Sequence, residues 1–192
     1  MSEKNIWLLV SGPSGVGKTT VIERMLGEFY PRLQPVVTCT TREIREGERD
    51  GVSYHFLTRE EFLKKQKAGK FLETIERHGV LYGTLREEVE KKLAAGCDLI
   101  TPIDWQGRRK LAVAGFSLPI VSVFLKPASM EELRKRLDKR GRNTPEELRA
   151  RLEMAEVELS HAAEYDYEFV STTQEKDFAR VRGIYKEARG ER

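Results

Sequence analysis

Residues 6–20 read Ile6-Trp7-Leu8-Leu9-Val10-Ser11-Gly12-Pro13-Ser14-Gly15-Val16-Gly17-Lys18-Thr19-Thr20. The first five form a short continuous apolar run, as a strand covered on both faces requires. Gly12 to Thr19 then fits the spacing G-x-x-x-x-G-K-[ST]. Beyond it, Thr20-Val21-Ile22-Glu23-Arg24-Met25-Leu26 has helical spacing, ended by Pro31 and Pro35. Glycines in such a turn let backbone N–H groups face inward as an anion nest, and the helix start adds its positive end. Lys18 supplies a point charge for terminal phosphates, and the Thr19 hydroxyl is a ligand for Mg²⁺. The stretch Gly12, Pro13, Ser14, Gly15, Val16, Gly17, Lys18, Thr19 and Thr20 therefore reads as a nucleoside triphosphate site. It does not say what happens to the triphosphate.

Outward from this stretch, strand-like and helix-like segments alternate. Leu99 to Ile103 is a second buried strand, although Pro102 argues against a regular ladder there. Ile120 to Leu125 is a third, stopped by Pro127, and Tyr167 to Val170 a fourth. Helical patterns run over Arg86 to Ala95, Met130 to Lys139, Pro145 to Ala163 and Lys176 to Ala188. This order predicts an α/β fold, a parallel sheet flanked by helices. Two segments interrupt it. Val36 to Tyr82 is polar, with short strand-like pieces and one helix (Arg59 to Ala68), and reads as an inserted subdomain. Ala128 to Met154 carries dense charge of both signs and reads as a helical hairpin with a mobile turn around Arg140 to Pro145.

The chain has 192 residues, enough for one core domain with small insertions. A net charge of +3, from 34 basic and 31 acidic residues, excludes a strongly polybasic nucleic-acid or membrane binder. No apolar run is long enough to span a bilayer, and no signal peptide is expected. Cys39 and Cys97 offer neither a disulfide framework nor zinc spacing and read as packing residues in a reducing cytosol. His55, His78 and His161 lack metal-ligand spacing, and Trp7 and Trp105 read as packing residues.

A second chemical cluster spans Thr38 to Tyr54 and continues at Phe71-Leu72-Glu73 and Tyr82-Gly83-Thr84. By chemistry alone, Arg42 and Arg45, three apart with tyrosine hydroxyls nearby, form a phosphate clamp. A carboxylate and two threonines form a reader of a base edge. The same composition also describes a solvated charged hairpin.

With these residues quoted, the chain resembles the guanylate kinase family, whose members phosphorylate GMP with ATP. The resemblance rests on Ser11 to Thr19, Thr40-Thr41-Arg42 with Arg45, Gly47, Glu48, Gly51 and Tyr54, and Phe71-Leu72-Glu73. Tyr82-Gly83-Thr84, Ile103-Asp104-Trp105-Gln106-Gly107, Arg136-Leu137, Arg140-Gly141, Arg151-Leu152 and Tyr165-Asp166-Tyr167 complete it. It implies an NTP-binding core (1–35, 85–127 and 155–192), a GMP-binding subdomain (36–84) and a lid (128–154). It implies that Arg42, Arg45, Tyr54 and Tyr82 hold the GMP phosphate. Glu73 would accept from guanine N1–H and N2–H₂, and Thr38 and Thr84 would serve O6 and N7. Asp104 would lie near the base and the metal–phosphate region, with a helix cap as its alternative, and Glu48 would orient the arginines. Lys18, Arg42, Arg136, Arg140 and Arg151 would stabilise the transferring phosphoryl group, with Mg²⁺ on ATP and Thr19 as its ligand. The lid arginines could instead pair with Glu131, Glu132 and Glu147, and Lys135 and Lys139 read as solvated surface.

Two positions depart from the family. Pro102 stands where it usually has an acidic residue, and Ser171 where it usually has the asparagine that helps hold adenine. Neither removes the phosphate loop or the acceptor cluster. The partners implied are ATP and GMP, with no nucleic acid and no membrane, in the cytoplasm. The rival readings are a kinase for another monophosphate such as dGMP, a non-catalytic phosphopeptide-binding domain of the same type, and a nucleotide- or RNA-binding regulator.

Overall fold

The apolar run after Asn5 forms β1 (Trp7–Ser11), all five residues of which are buried. In the computed structural model, which describes residues 5–77, 79–115, 118–139 and 144–191, β1 is the middle strand of five. With β2 (Leu33–Pro35), β7 (Asp98–Pro102), β8 (Ile120–Lys126) and β9 (Tyr167–Val170) it makes a wholly parallel sheet of order β2-β7-β1-β8-β9. Residue alternation splits the run between two cores. Ile6, Leu8 and Val10 pack with Val21, Ile22 and Met25 of α1 (Lys18–Phe29) and with Val181 and Tyr185 of α7 (Gln174–Ala188). Trp7 and Leu9 pack with Val89 of α3 (Arg86–Ala94) and Leu111 of α4 (Trp105–Ala112) on the other face. Each large apolar side chain fully buried this way contributes about 1.5–3 kcal/mol. The two-sided burial is why β1 reads as unbroken apolar sequence.

Pro102 does not disturb the ladder as expected. It is the last residue of β7, in register with Val10. Hydrogen bonds from Leu99 and Ile103 run to β1, whereas Asp98 bonds the β2 side. Position 102 therefore faces the β2 side, where β2 has already ended at Pro35, and no partner loses a donor. Two elements, β2 and α4, were not legible in the sequence. β2 is an edge strand, where proline is tolerated. α4 is short and carries Arg108-Arg109-Lys110, which obscures its apolar side.

Residues 36–84 hold most of a second, four-stranded sheet of order β4-β3-β6-β5. Its strands are β3 (Cys39–Thr40), β4 (His55–Phe56), β5 (Phe71–Arg77) and β6 (Val80–Leu85). Helix α2 (Arg59–Lys67) starts in a capping box of Thr58 and Glu61 and buries Phe62 against Cys39, Leu81 and Phe71. Helices α5 (Met130–Asp138) and α6 (Pro145–Ser160) pack through Leu133, Leu137, Leu148 and Ala155. Ser129 and Thr144 cap them by accepting from the Glu132 and Glu147 amides. α6 stops at Ser160, earlier than the sequence pattern, because a 3₁₀ turn follows over Ala162–Glu164. The expected mobile turn falls mostly on residues 140–143, outside the described residues, as does His78. Cys39 and Cys97 are buried and unbridged.

Candidate functional site

The phosphate loop leaves the C-terminal end of β1, where parallel α/β sheets place their ligands. A Cβ on Gly12 would lie 2.3 Å from the Leu125 carbonyl oxygen, so only glycine lets the loop pass β8. Gly17 (φ 116°) is the left-handed N-cap of α1 and offers no side-chain cap. The first amides of α1 thus remain open for an anion, and no acidic residue occupies its first turn. Lys18 folds over the loop, its Nζ donating to the Gly12 (2.5 Å) and Pro13 (3.0 Å) carbonyls. Thr19 is exposed in the first turn. Among the described residues no three His, Cys, Asp or Glu side chains group as a metal cage. A lone hydroxyl beside a phosphate site is a donor set that suits Mg²⁺, which keeps waters and substrate oxygens as its other ligands.

On one side of the loop lies a cleft of about 560 Å³ walled by Gly15, Val16, Gly17, Thr20, Arg136, Ser171 and Asp177. The Ser171 hydroxyl donates to buried Asp177 Oδ2 (2.6 Å) and lies 3.1 Å from the Val16 carbonyl oxygen. It is thereby tied to α7 and to the loop. Arg136 pairs with Glu132, one of the expected neighbours, and also donates to the Val16 carbonyl (3.3 Å). Lys139 is not merely solvated surface, since it lines this cleft. Arg151, on α6, donates to Ser14 Oγ across the loop (3.2 Å). Arg140 lies outside the described residues.

On the other side, a cleft of about 600 Å³ brings together Lys18, Arg42, Arg45, Tyr82 and Arg151. It shares Lys18 and Tyr82 with a smaller cleft of about 240 Å³ that collects Thr38, Tyr54, Glu73, Thr84 and Asp104. All the acceptor-cluster candidates except Glu48 thus line these two spaces. Glu48 stands behind them. Its carboxylate takes a bidentate fork from Arg42 (2.5 and 2.7 Å) and the Arg45 amide (2.9 Å). The Arg42 hydrogen bonds pull the Glu48 carboxyl down to about 2. The Arg42 guanidinium also sits 5.0 Å from the Tyr54 ring centre. This geometry holds the arginine before a ligand arrives. Glu48→Gln, which keeps shape but weakens the fork, is expected to raise the KM for GMP about tenfold with little change in the KM for ATP. Initial rates at varied GMP check this, and an unchanged KM would remove Glu48 from the clamp.

Glu73 is 8% exposed and accepts from Thr84 Oγ1 at 2.7 Å. Burial, with Asp104 adding like charge, pushes its carboxyl up to about 7. Asp104 caps α4 and also lines the smaller cleft. Oδ1 accepts from the Gly107 amide (2.7 Å), while Oδ2, itself buried, lies 3.1 Å from Arg77 Nη2. Trp7 is core, its Nε1 donating to Thr101. Trp105 stacks on His161, with ring centres 3.9 Å apart. Sequence reasoning missed Arg77 and Glu158, which line both clefts. Isolated charges on a strand end and a helix carry no pattern, and only the fold brings them together.

Comparison with known proteins agrees with this geometry. The family model described as guanylate kinase matches residues 4–188. A guanylate kinase of Bifidobacterium longum is 46% identical over 169 residues, covering 86% of each chain. One from Gluconobacter oxydans is 40% identical over 191 residues, 98% of this chain and 90% of that one. The crystal structure of guanylate kinase from Anaplasma phagocytophilum superposes with a TM-score of 0.80 at 32% identity, over 98% of this chain and 88% of that one. A phosphate loop facing a preorganised arginine clamp, on a chain matched along nearly its whole length, identifies it: the protein belongs to the guanylate kinase family.

Proposed function

We propose that the cleft at Gly15–Gly17 and the two clefts that share Lys18 hold ATP and GMP for direct phosphoryl transfer between them. The chain is an ATP:GMP phosphotransferase, a nucleoside monophosphate kinase. The observation that carries the assignment of sites is that Lys18 and the Arg42–Arg45 clamp line one and the same cleft. A GMP phosphate oxygen attacks the ATP γ-phosphorus in line, the bond to the β,γ-bridging oxygen breaks, and its electrons leave with ADP. No covalent protein intermediate is required, so positioning and cationic stabilisation do the work.

The loop amides and Lys18 hold the ATP phosphates, and Arg136 and Arg151 reach them from the lid side. Arg42, Arg45, Tyr54 and Tyr82 hold the GMP phosphate. Glu73, with Thr38, Thr84 and Asp104, reads the guanine, and dGMP fits the same contacts. Mg²⁺, when bound with ATP, supplies neutralisation of the phosphate oxygens, and Thr19 is the residue that would hold it. The division of labour follows the boundaries 1–35, 85–127 and 155–192 for the core, 36–84 for the acceptor part and 128–154 for the lid. Among the described residues no helix is long and apolar enough to cross a membrane. A cytoplasmic enzyme using small-molecule partners alone is the setting we propose.

A coupled assay of diphosphate formation with GMP, dGMP, AMP, CMP and UMP tests this reading. Turnover with GMP and dGMP is expected, and turnover with AMP at a comparable kcat/KM would overturn the base assignment. ATP binding without any turnover would favour the non-catalytic alternative.

A further inference from the structure

Arg77, the last residue of β5, is used by none of the substrate contacts above. A single nitrogen of its guanidinium, Nη2, lies 2.6 Å from Glu158 Oε1 and 3.1 Å from Asp104 Oδ2. Three elements therefore meet on one cation: the acceptor sheet, the N-cap of α4 and the end of α6. Both carboxylate side chains are more than nine-tenths buried, and Arg77 is the cation that pairs with both. Asp104 Oδ2 has no hydrogen bond of its own, and the Arg77 guanidinium is the charge that faces it. Glu73, a third carboxylate, lines the same small cleft.

Two buried carboxylates that meet at one cation repel each other when that counter-charge is removed, and their side chains then move apart. α6 adds a second consequence. Arg151, on the phosphate loop, and Glu158, on Arg77, are two turns apart and share a helix face.

Resting on the reading that the 240 Å³ cleft takes the guanine of GMP, we propose that Arg77 is the positioning residue of that cleft. It holds the Asp104 and Glu158 side chains together, fixes Asp104 beside Glu73, and ties β5 to the helix that reaches the donor side. Arg77 carries none of the substrate contacts assigned above, and its side chain is taken up by Asp104 and Glu158. Its loss should therefore appear in GMP binding and not in the chemical step.

The test compares Arg77→Met, Arg77→Lys and Arg77→Met/Glu158→Gln by initial rates and by calorimetric GMP binding, with thermal melts to confirm folding. Arg77→Met is expected to raise the KM and Kd for GMP about tenfold or more, with kcat and the KM for ATP nearly unchanged. Arg77→Lys keeps a single cationic nitrogen but on a shorter side chain that falls short of the position Nη2 holds between the two carboxylates, and is expected to raise them about threefold. Adding Glu158→Gln to Arg77→Met is expected to recover more than half of the loss on a logarithmic scale, because one carboxylate no longer needs the cation. A purely mechanical strut would show no such rescue, since the second change deletes the strut's other end. Folded Arg77→Met with wild-type GMP affinity, or a double variant no better than the single, would overturn the proposal. If Arg77→Met does not fold, wild-type GMP affinity in Arg77→Lys would do so. Wild-type protein that fails to bind GMP would instead overturn the underlying cleft assignment.

Discussion

Replacing Lys18 by alanine is expected to lower kcat for GDP formation by on the order of 10²–10³-fold or more, the loss seen when one preorganised charge-stabilising group is removed. The Kd for GMP should change little. The reason lies in where the ammonium sits. It rests on the Gly12 and Pro13 carbonyls, in the first turn of α1, and lines the cleft that Arg42 and Arg45 also line. A lysine in that position exchanges carbonyl partners for phosphate oxygens as ATP enters. Its charge then meets the negative charge that builds on the transferring group. In the proposed assignment the acceptor phosphate has its own clamp, since Arg42 is forked onto Glu48 independently of Lys18. Rapid-quench or coupled steady-state rates, with GMP binding measured separately by calorimetry, separate the two effects. A near-normal kcat would overturn the role assigned to Lys18.

The second large effect concerns Glu73. Glu73→Gln is expected to lower kcat/KM for GMP by about 10²-fold or more and to raise the AMP-to-GMP activity ratio. The carboxylate offers acceptors only, matched to two adjacent guanine donors, whereas the amide is half donor and uncharged. The four residues of the phosphate clamp are untouched by this change.

Glu73 also makes pH a diagnostic. Burial lifts its carboxyl to about 7 in the folded protein, against 4.5 as the ordinary value. A raised folded value means that the ligand-free protein is favoured below the ordinary value. That stability is lost as pH rises through about 7. The loss is on the order of 3 kcal/mol above neutrality, and Glu73→Gln should abolish it. Guanine requires the ionised form, so GMP affinity should rise with pH between about 6 and 8 in the wild type. The phosphate of GMP titrates in the same range, and Glu73→Gln controls for it, because only the Glu73 part disappears in the variant. Melting temperatures and GMP titrations at about pH 6 and 8 read both signs. A variant with unchanged GMP kinetics and an unchanged AMP ratio would show that Glu73 does not read the base.

Elements whose information is local are legible in the sequence itself. The run Ile6 to Val10 announces a strand buried on both faces, because every residue along it is apolar. Gly12 to Thr19 announces an anion-binding turn, because glycine, lysine and hydroxyl chemistry at that spacing has one common use. The strands at 120–126 and 167–170 and the helices α3, α5 and α7 followed from apolar runs and helical spacing, with Pro127 marking the end of the first. The role proposed for the acceptor cluster came from the family pattern around Arg42, Glu73 and Tyr82, whereas composition alone left a solvated hairpin open.

What chain-distant contacts decide was not legible. Strand β2 exists because Asp98 and Ile100 offer an edge to pair with, and nothing in Leu33–Pro35 declares a strand. Pro102 is harmless only because its missing donor points past the end of that edge strand. Asp104 is at once a cap and a wall of the smaller cleft, a double placement that depends on where α4 meets the second sheet. Arg77 and Glu158, 81 residues apart, acquire meaning only when β5 and α6 converge on Asp104. Sequence by itself thus determined the elements and the chemistry carried by neighbours along the chain. The tertiary structure decided which charges share a cleft and compensate one another, because electrostatic pairing depends on distance in space and leaves no period in the sequence.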